Sequence, residues 1–260
     1  MLQISVRRCR ACPPDAPLGH EPDSVEADPT RTAFLLVDVY LPPAELGPET
    51  LSGADYQAKE RIIAERIAPA LVAARKTGLA IVYVANSAPR IALERSAFGR
   101  HLETVGTDLA GEFAEENVDP LEYHSGPVSC LSYPEAIAPR RGDHYVRKHV
   151  YSGFYATRLE PLLRNLGTET LIAVGHRLDG CLGSTLMEAL FRNFQAILLR
   201  DCTLACDLPD EQPSRSFTKR MVLWYEMMIG PTSTSSDFVT ACRQARRTSW
   251  CPSQDSAHNG

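Results

Sequence analysis

Four short runs of almost unbroken apolar residues constrain the fold most: "TAFLLVDVY" (32–40), "LAIVYVAN" (79–86), "ETLIAVG" (169–175) and "QAILLRD" (195–201). A strand with one wet face alternates polar and apolar residues. These runs do not alternate, which is the pattern of strands buried on both faces in a parallel sheet. "HYVRK" (144–148) is a shorter strand ending at Lys148.

Between the runs the period changes to that of a helix. In 57–76, Ile62, Ile63, Ile67, Leu71 and Val72 recur at helical spacing, and Gly78 supplies the stop. Pro69 inside this segment should kink or restart the helix. Helices are also predicted over 157–167, 181–194, 214–230 and 235–247. Strand, helix and strand in succession take a right-handed parallel crossover. The predicted fold class is α/β: a three-layer, doubly wound sandwich around a mostly parallel sheet of about five or six strands.

Domain organisation follows from where this pattern stops. Residues 1–30 read as an extended arm, 31–247 as a single domain and 248–260 as a disordered tail. Residues 87–143 are the least regular part, with one short helix expected in "DLAGEFAEE" (108–116). A connection of that length is usually functional, and it would shape a pocket at the end of the sheet.

Composition excludes several classes. The net charge of −5 comes with no basic block of the kind that binds nucleic acid. No stretch approaches the roughly 20 apolar residues of a membrane helix, and no apolar leader segment is seen near the arginines around Cys9. The eight cysteines are scattered through a long chain, so they read as reduced thiols of a cytoplasmic protein rather than a disulfide framework. Cys9 and Cys12 form a CxxC, and Cys202 and Cys206 a CxxxC. Their unequal spacing argues against a shared zinc site.

In such a fold ligands sit beyond the carboxyl ends of the strands. Asp38 closes the first buried strand, Lys148 closes "HYVRK", and Cys181 follows "ETLIAVG" and opens a helix. Taken singly, each has a plain structural reading. A cysteine is usually packing, and a charged residue at a strand end is usually a solvated rim. Their joint placement at one sheet edge points to thiol chemistry. A helix N-terminus and a nearby lysine would favour thiolate and lower the pKa of Cys181. A carboxylate can take the thiol proton and return it to a leaving amine. The Cys181 amide could donate into an oxyanion hole.

Candidate substrate contacts stay open between two readings. Asn86 ends its strand at this edge and could bind an amide or cap the strand. Tyr151 could form a pocket wall or pack in the core. Arg177 could pair with a substrate carboxylate or form a salt bridge with Asp179. His176 could serve as a base with Cys181, although the turn favours a side chain directed elsewhere.

The segments "FLLVDVY", "KHVYSGFYAT" and "VGHRLDGCLGSTLMEALFRNFQAILLRDCT" resemble the isochorismatase-like cysteine hydrolases, over about residues 32 to 239. The likeness is strongest to the branch of ureidoacrylate amidohydrolase, biuret hydrolase and N-carbamoylsarcosine amidase. It implies a doubly wound α/β fold, homo-oligomers (dimers or tetramers) and no cofactor. It also implies a catalytic triad of Asp38, Lys148 and Cys181, with the amides of Arg177 and Cys181 as oxyanion donors. A non-proline cis peptide, common in such relatives, would fall at His176–Arg177. The cysteine argues for C–N hydrolysis of a small ureido or carboxamide compound. The nicotinamidase branch binds a metal through an Asp and two His after the first strand, whereas residues 40–60 hold no histidine, so no metal is expected. Relatives carry small or apolar residues where this chain has His176, Arg177 and Asp179. The alternatives are a carboxamidase or lactamase for a ring amide, a catalytically silent binding protein, and a redox sensor.

Overall fold

The computed structural model describes residues 1–10, 19–40, 53–86, 96–106 and 133–248. Eight strands form one sheet in the order β2-β1-β8-β7-β6-β3-β4-β5. They are β1 (Leu2–Arg10), β2 (Gly19–Ala27), β3 (Thr32–Val37), β4 (Ala80–Asn86), β5 (His144–Lys148), β6 (Thr170–His176), β7 (Gln195–Leu204) and β8 (Thr232–Ser233). From β8 to β5 neighbouring strands are parallel; β1 pairs antiparallel with both β2 and β8. The apolar runs lie where expected. Every residue of β3 and β6 is buried, as both-face burial requires.

Helices cover both faces, which completes the three layers. On one face lie α1 (Gly53–Ile62), a π-helical turn (Ile63–Ile67), α2 (Ala68–Thr77) and α7 (Ser235–Thr248). They bury Ile63, Ile67, Leu71, Phe238 and Ala241 against Phe34, Leu36, Ile172 and Val174. On the other face lie α4 (Leu159–Asn165), α5 (Cys181–Phe191) and α6 (Ser216–Met228). Their Leu159, Leu163, Leu182, Leu186 and Tyr225 pack on Leu35, Val37, Val84 and Ala173. A short helix, α3 (Ala97–Thr104), stands apart and carries Phe98. The π turn immediately precedes Pro69, so the helix widens where the proline withholds its N–H instead of breaking.

Two expectations are corrected. The extended arm expected at 1–30 is part of the sheet: 2–10 and 19–27 form a hairpin at its edge, and with the short β8 the described residues hold eight strands rather than five or six. Leu2, Ile4 and Val6 alternate inward along β1, the signature of a strand with one buried face. The hairpin is tied down through Glu226 of α6, whose carboxylate meets Arg7 Nε at 2.8 Å and His20 Nδ1 at 3.0 Å and accepts from Thr232 Oγ1. The first buried strand also ends earlier than expected, at Val37, because Asp38 takes a left-handed φ of 49°. The expected helix at 108–116, the tail beyond 248 and Cys12 lie outside the described residues. Among the described residues no helix is long and apolar enough to cross a membrane.

Candidate active site

The carboxyl ends of β3, β4, β5 and β6 lie side by side, and each delivers one part of the site. Regular alternation after Val37 would turn residue 38 toward the α1/α2 layer. The left-handed φ of Asp38 breaks that alternation. Its carboxylate Oδ2 lies 3.0 Å from Lys148 Nζ. Its amide stays in the sheet, donating to the Val84 carbonyl at 3.0 Å.

Lys148 ends β5 with its side chain wholly buried. In parallel register it pairs with Asn86, the last residue of β4. Its Nζ donates to Cys181 Sγ at 3.1 Å and to Asn86 Oδ1. Burial works against the ammonium charge, but the Asp38 carboxylate and Cys181 outweigh it, and the pKa is raised. Lys148 is therefore a buried cation.

Cys181 stands at the first position of α5, after the turn 177–180. The turn is tight. Arg177's carbonyl accepts from the amides of Gly180 (3.0 Å) and Leu182 (3.1 Å), and Leu178 donates to Leu204 O at 2.8 Å. A Cβ at Gly183 would come within 2.1 Å of the Leu178 carbonyl oxygen, so α5 can seat on this turn only with glycine there. Gly175 has the same role one step earlier. Its φ is 126°, and a Cβ would lie 1.9 Å from the Val37 oxygen, just where Asp38 leaves the sheet. The peptide between His176 and Arg177 is cis.

The thiol is not the low-pKa group that its helix position suggests. Burial pushes it up to about 12; Lys148 pulls it down, and Asp38 pushes it further up. Cys181 keeps partial exposure, but its Sγ meets the buried Lys148. The helix terminus and the ammonium act on a sulfur screened from water, and Asp38 already balances the ammonium's charge. The resting state is a neutral thiol beside a buried carboxylate whose Oδ1 has no hydrogen-bond partner.

The other candidates separate. Asn86 is buried and accepts from Lys148, with its Nδ2 donating to Tyr40 OH at 2.9 Å. Tyr40 was not among the sequence candidates; its place two residues after Asp38 was the only signal. Tyr151 packs edge-on against Phe98, ring centroids 4.8 Å apart. Burial, and then the charge interaction with Cys181, raise its phenol pKa, so it lies within electrostatic range of that thiol. Arg177 is exposed, and its guanidinium forks onto Asp179 at 3.2 and 2.8 Å. That carboxylate also accepts from the Cys206 amide at 3.2 Å. His176 departs from its expected role as a substrate contact. Lys59 of α1 is its charged neighbour, which sets it toward the α1/α2 layer, whereas Cys181 packs on the opposite core. It is buried, and its Nε2 lacks a hydrogen-bond partner. Burial, with Lys59 nearby, lowers its pKa well below 6.5, so the imidazole is neutral. Among the described residues no group of three His, Cys, Asp or Glu could hold a metal.

Known proteins share this arrangement of elements. The family model described as "Isochorismatase domain" matches residues 49–225, a span holding Lys148 and Cys181 and beginning after Asp38. The ureidoacrylate amidohydrolase RutB of Methylobacterium radiotolerans is 30% identical over 192 residues, 72% of each chain. RutB of Pantoea ananatis is 27% identical over 241 residues, covering 86% of this chain and 87% of that protein. A cysteine hydrolase from Pseudomonas syringae pv. phaseolicola superposes with a TM-score of 0.63 at 23% identity, over 84% of this chain and 95% of that one. An isochorismatase from Pseudomonas putida superposes with a TM-score of 0.56 at 19% identity, over 82% and 93%.

Proposed function

The chain belongs to the isochorismatase domain family, and from that membership we propose that it is a cysteine-dependent amidohydrolase. Its substrate is a small ureido (N-carbamoyl) or carboxamide compound. One observation carries this reading: the buried Lys148 ammonium holds the Asp38 carboxylate at 3.0 Å and the Cys181 sulfur at 3.1 Å. The relatives named as ureidoacrylate amidohydrolases support the choice of C–N bonds.

The mechanism starts from the neutral thiol. The S–H proton passes to Asp38, and the sulfur attacks the substrate carbonyl carbon. The carbonyl π pair becomes an oxyanion, which the amides of Arg177 and Cys181 stabilise; the first N–H groups of a helix have no intrahelical acceptor. The tetrahedral adduct collapses, the C–N bond breaks, and Asp38 returns its proton to the departing ammonia. Water, deprotonated by Asp38, then cleaves the thioester or thiocarbamate and restores the thiol. With a ureido substrate the released carbamate decomposes to amine and carbon dioxide. Lys148 stays protonated throughout and offsets the negative charge as it moves between Asp38 and Cys181.

The raised thiol pKa suits this order of events. A permanent thiolate would not need Asp38 as base, whereas a thiol held neutral until substrate arrives does. Tyr151 and Phe98 pack edge-on with ring centroids 4.8 Å apart, and an aromatic pair of this kind would suit a planar ring amide as a second substrate class. The test is an ammonia-release screen over ureido acids, biuret-like compounds and simple carboxamides, with ring opening of cyclic amides followed by mass spectrometry, and with Cys181→Ala as control. Turnover in the wild type that vanishes in the variant supports the proposal; undiminished turnover in the variant contradicts it.

A further inference from the structure

Lys148 has three N–H donors and no acceptor. The structure matches them with three acceptors: Asp38 Oδ2, Cys181 Sγ and Asn86 Oδ1. Two of these are the reacting groups of the proposed mechanism; Asn86 is the neutral third. Because an ammonium can only donate, the Asn86 amide must turn its oxygen to Lys148 and its NH₂ outward. There it donates to Tyr40 OH at 2.9 Å. Tyr40 is buried, stacks edge-on with Tyr133 at 6.4 Å and carries the Lys59 ammonium 5.2 Å from its ring centroid.

We propose that Asn86 and Tyr40 are positioning residues, a hydrogen-bonded brace that aims the Lys148 ammonium at Asp38 and Cys181. The reading rests on the proposed function only for Cys181 as nucleophile. The brace closes a loop through three strand ends. Tyr40 leaves β3 two residues after Asp38, Asn86 ends β4, and Lys148 ends β5. The segment that carries the base thus also holds the cation's support, so base and cation keep one geometry. Asn86 satisfies the third N–H without adding charge. With the thiol neutral, Lys148 and Asp38 balance one to one, and proton transfer to Asp38 moves the negative charge to sulfur beside the same cation. A carboxylate at position 86 would compete with both. Engaged at both ends, the Asn86 amide is a support rather than a substrate contact.

The groups that face the thiol are Lys148 from β5, Asp38 from the end of β3, Arg177 from the turn before α5, and Tyr151. Asn86 and Tyr40 act on it through Lys148 alone, which makes a substrate-free test possible. The rate of Cys181 alkylation by iodoacetamide is measured between about pH 6 and pH 9, where thiolate fraction governs reactivity. Wild type, Asn86→Asp, Asn86→Ala and Tyr40→Phe are compared, each with its thermal midpoint. Asn86→Asp should slow alkylation about tenfold at a given pH, as an added anion near a thiol does. Asn86→Ala and Tyr40→Phe should slow it in the same direction, Tyr40→Phe least. Folded Asn86→Asp and Tyr40→Phe proteins that keep the wild-type profile would overturn the brace, even if only their KM or melting point moved. A wild-type Cys181 whose alkylation, slow as a thiol of raised pKa must be, fails to rise with pH would overturn the brace and the nucleophile assignment together.

Discussion

Lys148 and His176 are both basic side chains buried at the same edge of one sheet, yet one is charged and the other neutral. Burial acts against the charged form of each. Lys148 meets Asp38, Cys181 and Asn86, and the first two reverse the effect of burial. His176 has Lys59 as its charged neighbour and no partner for Nε2, so burial and repulsion act together. Depth alone therefore does not decide whether a basic side chain at a strand end is charged; the acceptors around it do.

The largest effect should come from removing the cation. Lys148→Met strands the Asp38 carboxylate in a buried site. It should cost about 3–5 kcal/mol in urea unfolding, and about 1000-fold in turnover through lost stabilisation of developing charge. A stable, active Lys148→Met protein would erase the contrast with His176.

Gly175→Ala tests the backbone that brings the two strand ends together. Its Cβ would collide with the Val37 oxygen at a φ closed to alanine. The expected loss exceeds about 4 kcal/mol, in the range reserved for such strain, and should appear as a much lower denaturation midpoint or as insoluble protein.

Acid titration tests the His176 half. Its folded pKa lies below the unfolded value of 6.5. Its contribution to stability is therefore complete above about pH 6.5 and is lost as pH falls toward the folded value, because the unfolded chain binds the proton more readily. Thermal midpoints of the wild type should decline as the pH drops from neutral. His176→Leu should flatten that decline, while a slope unchanged by the substitution would mean that His176 does not report burial.

The smallest effect is expected at the exposed Arg177–Asp179 pair. Arg177→Met should change stability by less than about 1 kcal/mol. If the guanidinium faces substrate as well, KM for an anionic ureido acid should rise while that for a neutral amide stays put.

Much of this contrast was legible in the residues. The unbroken apolar runs specified strands buried on both faces, and the strand ends named Asp38 and Asn86, with Lys148 closing the shorter "HYVRK". The first hairpin was hidden because prolines and charges around residues 13–23 mask the short Leu2, Ile4, Val6 alternation, and because its anchor, Glu226, lies some 200 residues away. The thiol's charge state was misjudged for a different reason. Helix position and a neighbouring lysine can be read along a chain, whereas exclusion of water from sulfur depends on how α5, β3 and β5 close around it. The brace through Tyr40 was invisible for the same reason, since it joins three strand ends across the sheet.

In the proposed mechanism Cys181 carries the substrate's acyl group while Asp38 and Lys148 manage the proton and the charge. Intact-protein mass spectrometry after acid quench during turnover tests it most directly, using the ureido or carboxamide compound that releases ammonia in the screen. The account predicts an added acyl or carbamoyl mass on the peptide containing Cys181, absent from Cys181→Ala, which also releases no ammonia. Wild-type ammonia release by Cys181→Ala, with no adduct on either protein, would contradict it.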